Sequence, residues 1–226
     1  MLVIGCGAAG AGTDALTDAS IQMIESDIWL SPRAAIVCDA HSLPFFSGSL
    51  DAVVMQAVLD DLVDPWRCVS EIHRVLAPRG LVYVETPFMQ PVHDGCYDFT
   101  RFSHLGHRCI FRQFDEIASG AVSGPATAMA MLYQSLLVSF ARTRLLRAIA
   151  VAVARLSGFW LKYIDYFLIN RPGALDAACG CYLLGRKSER TLSNRELIGL
   201  YRGAQGRAAG GTETQQTCPK GEGAVV

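Results

Sequence analysis

The chain has 226 residues, is about half apolar and carries a net charge of −1. That is enough to bury one full core as a single domain, and no uninterrupted apolar run reaches the ~18 residues of a conventional membrane span. Eight cysteines are scattered without the framework spacing of a small secreted protein, which excludes a disulfide scaffold and sets the expectation of a reduced, cytosolic protein.

Residues 1–125 hold seven Lys and Arg against fifteen Asp and Glu, whereas 126–202 hold eleven against four. The basic half suits an anionic partner, and the acidic half disfavours nucleic acid. Met1 leads at once into a strand and a glycine turn rather than a basic, then apolar, leader.

Leu2 to Ile4 is a short apolar strand that runs into Gly5, Gly7 and Gly10. Glycines there permit a tight turn and let a ligand approach the backbone. A short helix is expected from Gly12 to about Leu16, followed by strands at Ile21 to Ile24, Ala35 to Cys38, Leu50 to Met55 and Leu81 to Val84. Runs of this length suit strands buried on both faces of a parallel sheet. Asp27 follows the second strand and Asp39 ends the third, so two carboxylates stand at successive strand ends.

The clearest helix begins with Asp64 as cap and Pro65 at the first helical position, places Val69, Ile72, His73 and Leu76 on one face, and stops at Pro78 and Gly80. After Glu85 comes a long polar and aromatic stretch at the carboxyl end of a strand, where open parallel sheets bind ligands. It offers His93, Asp94, Tyr97, Asp98, Arg101, His104 and His107. A helix from about Cys109 to Glu116 and a strand from Ile117 to Val122 return the chain to the sheet.

From Ala126 to Ile169 the pattern is helical and apolar, broken by basic residues. Arg144, Arg147 and Arg155 fall opposite Leu145, Ile149, Val153 and Leu156. Two readings stand. The segment caps a substrate site with its arginine face solvated, or it makes peripheral membrane contact through 142–169, aided by Phe159, Trp160, Tyr163, Tyr166 and Phe167. Ala178 to Gly185 is a strand, in which Cys179 and Cys181 read as buried residues rather than metal ligands or a disulfide. The tail, 203–226, is expected to be disordered.

Two carboxylates at successive strand ends suit a cofactor that has a ribose and an adenine amino group but no dinucleotide pyrophosphate. Gly5-Cys-Gly-Ala-Ala-Gly, Asp27-Ile-Trp, Asp39-Ala-His-Ser-Leu-Pro-Phe, Gly48-Ser-Leu-Asp-Ala-Val-Val and Glu71-Ile-His-Arg-Val-Leu-Ala-Pro-Arg-Gly-Leu stand in one order. Together they resemble a class I S-adenosylmethionine-dependent methyltransferase of the type 11 branch, from Met1 to about Ile117. The resemblance implies an α/β fold with a doubly wound, mostly parallel seven-stranded sheet of Rossmann-like type whose last two strands form an antiparallel hairpin. The helical stretch would then be an insertion between them. One domain over 1–202 is expected, with a cofactor-binding core (1–125), a helical cap (126–170) and a last strand and helix (171–202).

The resemblance also implies roles. Gly5, Gly7 and Gly10 would surround the methionine portion of S-adenosylmethionine, Asp27 would hold the ribose hydroxyls, and Asp39 would meet the adenine amino group with the Ala40 backbone nearby. Gln56 would contact the methionine end or the substrate. The acceptor is expected to be small or lipid-like, since the Pro-Pro tetrapeptide of nucleic-acid enzymes is replaced by Met55-Gln-Ala-Val. For a proton acceptor, His93 with Asp94 or Asp98 is the first candidate. No metal is expected, because spacing alone is poor support for a site at His93, His104 and His107.

Departures from the family pattern keep other readings open. Asp60-Asp61 stands where a Glu-His pair is common, and Arg79 replaces the first glycine of a Pro-Gly-Gly turn. A non-enzymatic, methyltransferase-like binding protein is one alternative. An NAD(P)-dependent oxidoreductase is another; it would use the same glycines and Asp27 but leaves Asp39 unexplained.

Overall fold

A computed structural model describes residues 1–8, 10 and 20–205. The helix expected from Gly12 to Leu16 and nearly all of the tail lie outside the described residues. Seven strands form one sheet: β1 (Leu2–Ile4), β2 (Ile24–Asp27), β3 (Ile36–Val37), β4 (Leu50–Gln56), β5 (Leu76–Pro87), β6 (Phe114–Ser123) and β7 (Gly180–Lys187). Their order is β3-β2-β1-β4-β5-β7-β6. The pairs from β3 to β5 are parallel, and β7 runs antiparallel to both β5 and β6.

The core follows from apolar runs too short for helices. Leu2, Val53, Met55, Val82 and Val84 are fully buried in the central strands. Against them packs α1 (Pro65–Val75), whose buried face is Cys68, Val69, Ile72 and Val75. Asp64 caps it by accepting the Arg67 N–H at 3.0 Å, with Pro65 in the first turn. The helix ends at Val75 rather than at Pro78. Leu76 turns extended and pairs with Leu50, and the register shift between Leu50 and Ala52 takes up Arg79, whose φ is +63°.

The stretch after β5 departs from the expected boundaries. The helix is α2 (His104–Ile110), and β6 begins at Phe114. Ser103 starts α2 by accepting the Gly106 N–H at 3.2 Å, a cap signal hidden among the histidines. Arg108 is buried and pairs with Glu116 at 3.0 Å. Likewise β2 begins three residues later than the apolar run suggests, so Asp27 is its last residue.

Four helices stand in the chain between β6 and β7: α3 (Pro125–Ser139), α4 (Arg144–Gly158), α5 (Leu161–Leu168) and α6 (Pro172–Asp176). A last helix, α7 (Asn194–Gly199), follows β7 with Ser193 and Glu196 in a capping box. Residues 201–205 are tied to α6, because the Tyr201 hydroxyl and the Ala204 N–H donate to Asp176, each at 2.7 Å. Cys179 and Cys181 are both fully buried and free.

Candidate cofactor and acceptor site

The strand order reverses between β1 and β4, and ligands of open α/β sheets bind at the carboxyl ends beside such a reversal. The glycine segment leaves β1 there. Gly5 and Cys6 donate to the Ser26 carbonyl at 2.9 and 3.1 Å, which folds the turn over the end of β2. Gly5 has φ +74°, and a Cβ on it would stand 2.2 Å from the Val58 side chain. Only glycine satisfies both conditions. Gly7 has φ +58°, and among the described residues a Cβ there would meet nothing within 4 Å. Gly10 lies against the Arg33 guanidinium, which pairs with Glu25 at 2.6 Å.

Asp27 is joined to that turn. Its two carboxylate oxygens accept the Gly7 N–H at 2.8 Å and the Trp29 N–H at 3.0 Å. The Cys38 N–H donates to the Asp27 carbonyl at 3.0 Å, which sets the end of β3, and with it Asp39, beside the end of β2. The Oδ1 atom of Asp39 accepts the His41 N–H at 2.8 Å and meets the His41 ring at 2.6 Å. The backbone hydrogen bond from His41, followed by its ring, holds the Asp39 carboxyl below the usual range. Ala40 is buried behind it. Gln56 ends β4 beside Glu85 of β5, and Ala57 turns away at φ +50° to bring Val58 onto Gly5.

The second group of residues lies past β4 and β5. Asp60 and Asp61 sit in a 3₁₀ turn (Leu59–Asp61), whose Asp60 carbonyl accepts the Phe99 and Thr100 N–H groups at 2.8 and 3.2 Å. These bonds fold the polar loop back over the strand ends. His93 stands at the centre, with Asp98 3.4 Å, Asp94 3.5 Å and Asp60 3.6 Å from its ring nitrogens. Arg101 grips Asp98 with both terminal nitrogens and lies 3.7 Å from Asp60. Asp60 is fully buried, and neither of its carboxylate oxygens accepts a hydrogen bond from the described residues. Ligand atoms of Asp60, His93 and Asp98 lie within 4.8 Å of one another.

Charge is crowded here, with Arg101 balancing four carboxylates. Burial, then the charges of Asp60 and Asp94, pushes the Asp61 carboxyl up to about 7. An acid with a raised folded-state pKa favours the native state while protonated, so its contribution is full below the unfolded value and is lost as pH rises through about 7. Asp61→Asn therefore removes the part of the stability decline that runs from about pH 4 to 7, leaving the variant more stable than the wild type at pH 8 but not at pH 4. Urea unfolding across that range checks it, and parallel curves would refute it.

His104 and His107 do not join His93. His104 bonds to Ser119 at 3.1 Å, and burial drives the His107 imidazole down to about 3, with its ring edge-on to Phe111. Asp60 is the partner that sequence reasoning missed. The Asp60-Asp61 departure was the available signal, since paired acids after a buried strand need a cation nearby. A cavity of about 720 Å³ opens from His93 and Val92 toward α3 and α4, where Met131, Gln134, Arg155 and Phe159 line it.

Comparisons with known proteins bear on the fold. A protein-family model described as "Methyltransferase domain" matches residues 2–84. An uncharacterized, chloroplastic methyltransferase of Arabidopsis thaliana is 45% identical over 64 residues, a match that takes in 28% of this chain and only 17% of that protein. Among solved structures, the methyltransferase bound to the Trm112 activator of Haloferax volcanii is similar at a TM-score of 0.53 and 18% identity, over 85% of this chain and 83% of that one. The phosphoethanolamine N-methyltransferase 2 of Haemonchus contortus, in complex with S-adenosyl-L-methionine, is similar at a TM-score of 0.51 and 15% identity, over 84% and 48%. At such identities these likenesses speak for the fold. Residues 2–84 are thus similar to a class I S-adenosylmethionine-dependent methyltransferase domain of the type 11 branch.

Proposed function

We propose that the chain binds S-adenosylmethionine across the carboxyl ends of β1 to β4 and transfers its methyl group to a small or lipid-like acceptor beside His93. The observation that carries the reading is the clasp between Asp27 and Gly7, which fixes a ribose-binding carboxylate against a positive-φ turn. The residues fit such a group. Gly5 and Gly7 keep the turn clear for the methionine portion, Asp27 takes the ribose hydroxyls, and Asp39 with the Ala40 backbone takes the adenine edge. Gln56 closes the methionine end. The cofactor supplies an electrophilic methyl carbon on sulfur; the protein supplies alignment and a route for the proton.

His93 provides that route. Its imidazole would accept the proton that the acceptor's oxygen or nitrogen loses on being methylated. The imidazolium then faces Asp60, Asp94 and Asp98 within 3.6 Å. Transfer of labelled methyl from S-adenosylmethionine to a panel of hydroxyl- and amine-bearing amphiphiles tests the reading. His93→Ala lowers turnover roughly 100-fold or more while affinity for S-adenosylhomocysteine stays within about threefold. Turnover that survives His93→Ala would remove the histidine from the chemistry. Absence of transfer to every acceptor, with cofactor binding intact, would favour a non-enzymatic binding protein.

A further inference from the structure

Helix α4 packs with its small residues inward. Leu145, Ile149, Val153 and Leu156 recur at helical spacing, a pattern that ordinarily turns toward a core. Here the body of the protein is met instead by Ala154 and Gly158, the two buried residues of the helix. A Cβ on Gly158 would touch Tyr133 of α3 at 3.4 Å, so the helices approach on that side. Leu145 is left 71% exposed and Leu156 78% exposed, with Ile149 and Val153 each about half exposed. On α5 and the bend before it, Phe159, Trp160, Tyr163, Tyr166 and Phe167 are exposed as well. An apolar surface of this extent marks an interaction site.

Charge identifies the partner. From Pro125 to Arg171 the chain has six basic residues and one acid, Asp165. That acid is buried and spent on α3, where it accepts the N–H groups of Gly124, Ala126 and Thr127 at 3.1, 3.0 and 2.8 Å. The outer surface therefore sets no carboxylate of this segment against an anionic partner. Arg144, Arg147 and Arg155 line one depression of about 690 Å³ together with Leu156. A second copy of the chain docked through this same face would bring like charges together. Leucines that enter an acyl layer, exposed arginines of the same helix that reach phosphates and exposed Trp and Tyr residues are the parts of an interfacial helix.

We infer that the α4–α5 face docks on an anionic lipid bilayer, and that the cavity running from Arg155 and Phe159 to His93 admits an acceptor drawn from it. The docking stands apart from the methyl-transfer reading; the acceptor class rests on that reading.

Vesicle co-sedimentation of the full chain tests it, comparing phosphatidylcholine alone with phosphatidylcholine carrying about one third phosphatidylserine. Binding to the anionic vesicles is at least about tenfold tighter, and Leu145→Asp/Leu156→Asp and Arg144→Gln/Arg147→Gln each weaken it roughly tenfold or more. Both pairs are exposed, so the unfolding temperature should hold. Failure of the wild-type chain to sediment, or equal recovery of wild type and variants, overturns the docking. So does a concentration-dependent dimer that Leu145→Asp/Leu156→Asp dissolves. S-adenosylhomocysteine binding by the same samples separates the two claims: vesicle binding without it removes the methyl-transfer reading alone.

Discussion

Replacing Asp27 with alanine lowers affinity for S-adenosylhomocysteine roughly 100-fold or more. The carboxylate does two jobs. It accepts the Gly7 and Trp29 N–H groups, which fixes the turn, and each oxygen keeps a further lone pair for a ribose hydroxyl. Hydrogen bonds to a charged group contribute about 1.5–3 kcal/mol each, so losing two from the ligand exceeds 3 kcal/mol before the turn loosens. Asp27→Asn keeps one acceptor oxygen and should fall between, near tenfold. Calorimetric titration checks the series, and an Asp27→Ala variant that binds like the wild type would displace this carboxylate from the cofactor site.

The second large effect falls on stability. Asp165→Ala costs about 3–5 kcal/mol, since a lost helix cap costs about 0.5–2 kcal/mol and each further buried donor left unpaired about 1–3 kcal/mol. Gly124 offers α3 no side-chain cap, and Asp165 of α5 takes that place from 41 residues away. Its loss strands the N–H groups of Gly124, Ala126 and Thr127 together with the Thr127 hydroxyl. Chemical denaturation measures the cost, and hydrogen exchange should show faster opening in α3 and α5 than in β1 and β4. The cofactor site is far along the sheet, so S-adenosylhomocysteine affinity should stay within about threefold if the domain stays folded. A loss below about 0.5 kcal/mol would mean that water caps α3 equally well.

What the sequence carried, it carried through local signals. The glycine turn, the Asp64-Pro65 start of α1 and the buried runs of β1, β4 and β5 each depend on residues a few positions apart, where steric and capping rules act directly. The Asp27 and Asp39 positions were legible for the same reason. The convergence of Asp60 with His93, Asp98 and Arg101 was not, because it depends on a loop folding back across more than thirty positions. The start of α2 was obscured because His104 and His107 read as loop chemistry, whereas burial makes them structural. For α4 the period was plain but its orientation was not. Sequence alone opposes the arginines to the leucines; only packing shows that Ala154 and Gly158 face the body, leaving both sets exposed.

On the proposed reading, the Asp27-Gly7 clasp marks a cofactor half of the sheet's carboxyl edge and the carboxylates around His93 mark an acceptor half. Calorimetric titration of the full chain with S-adenosylhomocysteine and, separately, with NADH tests that division most directly. Saturable one-to-one binding of the adenosyl compound in the micromolar range, with no heat from NADH, is the predicted result. Saturation by NADH, with S-adenosylhomocysteine inert, would contradict it and return the glycine turn to a dinucleotide.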